Sequence, residues 1–169
     1  MKLLLRNTDN SDLIKIFNLQ VKCFETSDRW YKSIISQYLD NSIVIETLNK
    51  TIIAVLLQGN IIPCDKNDII IPSSDYGNEF IENNLQFTEL FGIVMICVHP
   101  KYRKKGLGKK LIKKHFELNK DKLLCLNTRN SNINAINLYN KMGYLEIGTI
   151  KDKYFLPNED SKFMIKIIT

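Results

Sequence analysis

The pair of glycines in Gly106-Leu107-Gly108 constrains this chain more than any other feature. It lies between a nearly continuous apolar run, Phe91 to Val98, and a helical period carried by Leu107, Leu111, Ile112, His115 and Phe116. The run suits a strand buried on both faces, and the period suits a helix with its lysines outward. Pro100 closes the strand, and the two glycines allow close backbone approach to a ligand. The helix starting there aims unpaired N–H groups and its positive dipole end at the same point. Arg103 and the lysines between Lys101 and Lys114 add charge. By physical construction this is a pyrophosphate site. The Gly-Lys-Ser/Thr ending of nucleoside triphosphate hydrolases and the third glycine of a dinucleotide fold are both missing. The plain alternative is a glycine-started helix with a solvated lysine face.

Around this segment the patterning predicts alternating strands and helices. Leu3 to Arg6 reads as a short strand, and Thr8 to Asp12 as a helix start. Leu13, Ile14, Phe17, Val21 and Phe24 then give an amphipathic helix over 11–24. A second helix is expected from Trp30 to Leu39. Ser42 to Thr47 and Thr51 to Leu57 are β-branched runs forming a hairpin around Asn49-Lys50. Leu123 to Asn127 reads as a strand, Ser131 to Met142 as a helix stopped by Gly143, and Tyr144 to Ile150 and Lys162 to Ile168 as two more strands. Residues 59–88 carry Gly59, Pro63, Pro72, Gly77 and a polar stretch from Ser73 to Asn78. That length exceeds a plain connection. It is either a substrate-side insertion or a mobile loop, with room for one helical turn at 79–86.

The chain has 169 residues, enough for one domain with a real core. Its net charge of +6 raises the question of a nucleic-acid partner. The cations gather beside the glycines rather than along the chain, which suits a small polyanion and argues against nucleic acid. No run of about 18 apolar residues exists, so no membrane span is expected, and Met1 to Arg6 is too short an apolar stretch for a signal peptide. Cys23, Cys64, Cys97 and Cys125 form no CxxC pair. Neither a metal site nor disulfides are expected, and a reducing, cytoplasmic setting fits.

Arg103-Lys104-Lys105-Gly106-Leu107-Gly108 resembles the R/Q-x-x-G-x-G/A signature of the GNAT superfamily of N-acetyltransferases. The stretch from Asn127 through Asn132, Ala135, Leu138-Tyr139 and Met142-Gly143-Tyr144 resembles that family's second CoA-side motif. Together they cover residues 91–150, and the order of elements extends the likeness over most of the chain. The resemblance implies an α/β (α+β) fold: a mixed, mostly antiparallel central sheet of about seven strands with four main helices. The sheet would splay between its fourth strand (91–98) and its fifth (123–127). It also implies a single N-acetyltransferase domain over 1–169, with the insertion at 59–88.

The same resemblance assigns roles. Acetyl-CoA would be the cofactor, its pyrophosphate cradled by the amides from Arg103 through Lys104, Lys105, Gly106, Leu107 and Gly108 to Lys109. Ile96 and Val98 would pair with the pantetheine arm, and the Ile96 amide would be the oxyanion donor, worth about 3 kcal/mol of barrier. Tyr139 would protonate the departing thiolate. Asn132 would cap its helix or bond the pantetheine arm. Family members often carry a general base where this chain has Gly92 and Asn127, and neither can take a proton. Other candidates are Glu89, Glu25, His99 and Tyr154, or a water chain. His99 reads better as a solvent-facing structural residue beside Pro100, and His115 as a core residue. An α-amine titrates near 8, so it needs little help.

For the acceptor, Phe24-Glu25-Thr26 with Trp30 and Tyr31 is similar to the turn that ribosomal-protein and eukaryotic Nα-acetyltransferases place over the acceptor peptide. Lys153-Tyr154-Phe155 and Glu159 to Met164 resemble their peptide-binding hairpin. Phe24, Glu25, Trp30, Tyr154 and Phe155 are therefore the expected substrate contacts, although such aromatics also serve as core. The expected partner is a primary amine, on a protein N-terminus or lysine, delivered to the thioester directly. Glu25 replaces a frequent proline, and the insertion at 59–88 replaces a short connection. An acceptor that is a small amine, or a noncatalytic CoA-binding module, remain the alternatives. The oligomeric state is open.

Overall fold

The computed structural model describes residues 2–61, 70–84 and 90–167. In chain order the elements are β1 (Leu3–Asn7), α1 (Leu13–Cys23), α2 (Lys32–Ile35), β2 (Ile43–Thr47), β3 (Ile52–Ile61), β4 (Ile70–Pro72), α3 (Asp75–Asn84), β5 (Leu90–Val98), α4 (Leu107–Leu118), β6 (Leu124–Arg129), α5 (Ile133–Lys141), β7 (Leu145–Phe155) and β8 (Asn158–Lys166). Strands and helices mix as expected, and the pairings of β1 with β2, β2 with β3, β4 with β7, and β8 with both β6 and β7 are antiparallel. The chain forms two compact units, residues 1–59 with 93–118, and residues 60–92 with 119–169.

In the first unit, β1, β2, β3 and β5 are successive neighbours. Ile16 and Leu19 of α1, Ile35, and Leu39 pack on Val44, Val55, Leu57, Met95 and Cys97. Side chains alternate along a strand, so Ile43 and Ile45 take the opposite face, where α4 packs on β2 and buries Leu111 and Ile112 fully. His115 belongs to this core: it is buried and bonds the Gln58 side chain. Arg6 fastens the edge of the unit. It grips both oxygens of Asp12 at 2.6 and 2.9 Å and Glu46 at 2.9 Å. Asp12 is fully buried.

The helix expected from Trp30 to Leu39 is shorter and differently built. Gln20, buried on α1, accepts from the Trp30 N–H at 2.9 Å and donates to the Trp30 carbonyl at 2.5 Å. Trp30 is thereby held outside a helix, because both its backbone groups are already partnered. Only Lys32–Ile35 is α-helical, followed by a 3-10 turn over Ser36–Asn41. Ser36 and Ser42 return hydroxyl bonds to the Ser33 and Tyr38 carbonyls, competing with an α-helical ladder.

In the second unit, β6, β8, β7 and β4 are successive neighbours, and Phe80, Leu90, Cys125, Ile147, Ile150, Phe163 and Ile165 form the core. The insertion carries more structure than one turn at 79–86. Ile70–Pro72 pairs with Gly148–Ile150, and α3 runs from Asp75 to Asn84. The polar stretch starting at Ser73, which reads as a break, is a helix start: the Ser74 hydroxyl accepts from the Gly77 N–H at 3.1 Å. Residues 62–69 and 85–88 of the insertion, with Cys64, and Glu89 after it lie outside the described residues. Strand β7 extends to Phe155, past the expected end at Ile150, through a bulge containing Asp152 at φ +50°.

Candidate functional site

The loop after β5 is held rigidly at its base and left open above. His99 donates its N–H to the Ile53 carbonyl at 2.8 Å, and its Nδ1 accepts from the Lys101 N–H at 3.2 Å. This capping role agrees with the structural reading of His99. Arg103 then staples the loop, giving Nε–H to the Val98 carbonyl at 3.1 Å and a terminal N–H to the Cys23 carbonyl at 3.4 Å. Its own amide donates to Pro100 at 3.2 Å. The resemblance implies that the Arg103 amide faces a ligand, but the structure engages that amide internally. Its other donors also tie the end of β5 to the end of α1.

Beyond Arg103 the amides are available. None of the N–H groups from Lys104 to Lys109 makes a close, well-aligned hydrogen bond to another described residue, and only that of Lys105 closes a loose turn over Arg103–Lys104. The first bond of the helical ladder is Lys110 N–H to the Gly106 carbonyl, at 3.0 Å. Lys104 and Gly106 both adopt left-handed backbone, φ +59° and +73°, which turns successive amides toward one side. A Cβ built on Gly106 meets nothing within 4 Å. Open space over a nest of donors at a helix start is what a diphosphate requires, so these residues fit the phosphate end of acetyl-CoA.

Strand β5 is less uniformly buried than its composition implies. Leu90 to Ile93 are buried, but Val94, Ile96 and Val98 are half-exposed while Met95 and Cys97 between them are buried. One face of the strand is therefore open, and it carries Ile96 and Val98. Cys97 faces the α1 side of the core. Contact with the Cys23 thiol and burial push its own thiol well above the ordinary range, which disfavours a covalent acetyl-cysteine route.

In the second unit, Asn132 caps α5, its side-chain oxygen accepting from the Ala135 N–H at 3.3 Å. The helix ends at Gly143, φ +82°, with the Tyr144 N–H reaching back to the Tyr139 carbonyl at 3.0 Å. That turn sets the Tyr139 and Tyr144 rings edge to face, with centroids 5.7 Å apart. Burial, and then Tyr154, push the Tyr139 phenol well up. It therefore keeps its proton at neutral pH and can serve as a donor.

Tyr154 lies under the Arg129 guanidinium, 4.0 Å from ring centroid to Cζ. Arg129 also bonds Glu159 at 3.2 Å and the carbonyls of Leu156 and Pro157. Glu159 in turn accepts from the Ser131 N–H and hydroxyl. This hub holds the β7–β8 hairpin against the start of α5. Nothing local in sequence reveals it, because Arg129 and Glu159 are far apart in the chain. Burial pushes the Glu159 carboxyl up, but the bonds from Ser131 and Arg129 together outweigh it and hold the group below its ordinary value of 4.5. A depressed carboxylate stabilises above its unfolded pKa and loses that contribution as pH falls through the folded value. The hairpin resonances of Tyr154 and Phe155 are expected to be unchanged from pH 7 to about 5 and to shift below 4.5. Glu159→Gln removes that transition.

The expected acceptor residues divide by burial. Phe24 and Trp30 pack partly against the core of the first unit, and the Trp30 and Tyr38 rings approach to 6.0 Å. Glu25 is exposed, and Phe155 is 85% exposed. Of the two positions where GNAT members often carry a base, Gly92 is buried within β5. The Asn127 side-chain oxygen is buried and accepts no bond among the described residues.

Residues 65–146 match the model of the acetyltransferase (GNAT) domain family. A comparison of the sequence with curated proteins finds no match. The fold resembles that of the ribosomal-protein-S18-alanine N-acetyltransferase of Escherichia coli, with a TM-score of 0.75 and 16% identity over 99% of this chain and 95% of that one. It also resembles Arabidopsis thaliana NAA60, crystallised with acetyl-CoA, with a TM-score of 0.76 and 17% identity over 99% and 100% of the two chains. A third likeness is to the loading GNATL domain of CurA from Lyngbya majuscula, with a TM-score of 0.78 and 12% identity over 99% and 98%.

Proposed function

We propose that this chain, whose residues 65–146 match the acetyltransferase (GNAT) domain family, is an N-acetyltransferase served by acetyl-CoA that transfers the acetyl group directly to a primary amine, in first place a protein N-terminal α-amine. The observation that carries the reading is the row of amides from Lys104 to Lys109, without close internal acceptors and beneath open space at Gly106. Acetyl-CoA supplies the activated acyl thioester. Lys104 to Lys109 hold its diphosphate, and the half-exposed face of β5 at Ile96 and Val98 faces its arm. The Ile96 N–H stabilises negative charge on the acyl oxygen. Tyr139, kept protonated by burial, gives its proton to the departing sulfur, and the proton that the amine sheds on forming the amide returns through water to restore the phenol.

The acceptor assignment rests on Phe24, Glu25 and Trp30 at the end of α1, held by Gln20, and on Tyr154 and Phe155 in the hairpin held by Arg129. No protonatable side chain stands at 92 or 127, which suits an amine with a pKa near 8 better than a lysine near 10.4. Thioester consumption with N-terminal peptides, lysine peptides, polyamines and aminoglycosides tests the assignment. Turnover with unblocked peptides, abolished by acetylating their α-amine, is the expected result. Turnover with small amines alone refutes it.

Tyr139→Phe is expected to lower kcat about 100-fold while CoA affinity stays unchanged. That is the low end of general acid effects, since a thiol near pKa 8.5 leaves with modest help. Wild-type kcat is expected to show no falling alkaline limb below about pH 10, because the phenol is raised above its ordinary value.

A further inference from the structure

A second cationic site lies in the first unit. A concavity of about 440 Å³ is lined by Lys15 and Lys22 of α1, Lys50 at the β2–β3 turn, and Lys101, with His99 and Tyr102 beside them. It shares no residue with Lys104–Lys109. Lys15, Asn18, Leu19 and Lys22 lie on one face of α1 at helical spacing, so both ammonium groups reach the same space. Leu19 and Ile53 give it an apolar floor.

Three observations point to an anion. First, Lys22, Lys50 and Lys101 have no carboxylate partner among the described residues. Lys15 has only Asp12, at 3.7 Å, whose two oxygens are already gripped by Arg6. Second, burial and then the charges of Lys22, Lys101 and Arg103 push the His99 pKa down, so three cationic side chains hold the ring toward its neutral form. Its Nδ1 is occupied as an acceptor, which leaves the proton on Nε2 as a further donor. Third, Lys50 sits at φ +56°, a conformation that favours glycine or asparagine. A lysine kept there, immediately after Asn49, retains backbone strain where its ammonium lines the concavity.

We propose that this concavity binds a compact polyanion carrying two or more phosphate groups, independently of the diphosphate loop. Lysine ammonium groups suit phosphate as point charges. Their convergence on one concavity, rather than along a track, matches a small molecule and not a nucleic-acid strand.

Calorimetric titration with inorganic tripolyphosphate tests this, at physiological salt and with CoA present in excess. Wild-type protein is expected to bind tripolyphosphate with CoA bound. Lys50→Gly and Lys22→Gln are each expected to weaken binding about five- to tenfold, the scale of one charge-assisted contact. Lys50→Gly also relieves strain, so it folds at least as well as the wild type, and its CoA affinity stays unchanged. No heat at millimolar tripolyphosphate, or wild-type affinity retained in both variants, overturns the proposal. So does full displacement by CoA, which would place the anion at Lys104–Lys109 instead, and so does tighter binding of hexaglutamate than of tripolyphosphate. A failure of CoA itself to bind counts against the diphosphate loop and is read separately in the same titrations.

Discussion

Arg6→Met is expected to destabilise the protein by about 3–5 kcal/mol, measured by urea unfolding, because it strands two buried carboxylates. Asp12 is fully buried and Glu46 nearly so, and Arg6 is the cation that contacts both. Asp12 also receives the Asp9 N–H at 3.1 Å, completing a capping box at the start of the turn into α1. Losing the guanidinium therefore loosens β1, that turn and β2 together. Burial alone would raise the Asp12 pKa, but the Arg6 bonds and charge bring it below its ordinary 3.8. The stabilisation is present above that value and lost as pH falls through the folded pKa. In Arg6→Met the sign reverses, and acid protonates the stranded carboxylates and restores part of the loss. Arg6→Met combined with Asp12→Asn and Glu46→Gln is expected to recover much of the deficit, since a neutral set leaves no buried charge. An Arg6→Met variant as stable as the wild type would show that water already compensates these carboxylates.

The second large effect concerns the loop. Gly106→Trp is expected to weaken CoA binding at least about 1000-fold, since an indole occupies the space above the donor nest and bound phosphate has nowhere else to reach those amides. Gly106→Ala separates the backbone cost from the steric one. Both variants put a side chain at φ +73°, costing about 1–2 kcal/mol of stability. Alanine leaves most of the open space, so its loss of affinity is expected near tenfold. Equal losses in the two variants would mean that backbone distortion, and not occupancy, sets the affinity.

The loop and its flanks were legible because their signals are local. Gly106 is required by its positive φ, the period of Leu107, Leu111 and Ile112 follows at once, and Gly143 stops α5 by the same left-handed device. What escaped depends on partners that no hydrophobic period relates, some near in the chain and some far. Gln20 holds Trp30 through its backbone, which shortens a helix that the residues after Trp30 would otherwise support. Ser74 reads as part of a polar break until Gly77 is seen to donate to it. Arg103 carries the family's basic position, yet its amide turns inward to Pro100, a consequence of the 3-10 turn at Pro100–Tyr102. The hub of Arg129, Glu159 and Ser131 joins two strands and the turn before α5, which no periodicity relates. At the candidate site the glycine-dependent geometry was visible, and the packing that orients Tyr139 and Tyr154 was not.

The central claim is that the amides from Lys104 to Lys109 bind the diphosphate of CoA. Backbone amide resonances followed by NMR during a CoA titration test it most directly. Saturable downfield shifts are expected, concentrated at Lys104–Lys109, with Arg103 moving little because its N–H already donates to Pro100. Unchanged resonances across that segment at millimolar CoA would contradict it.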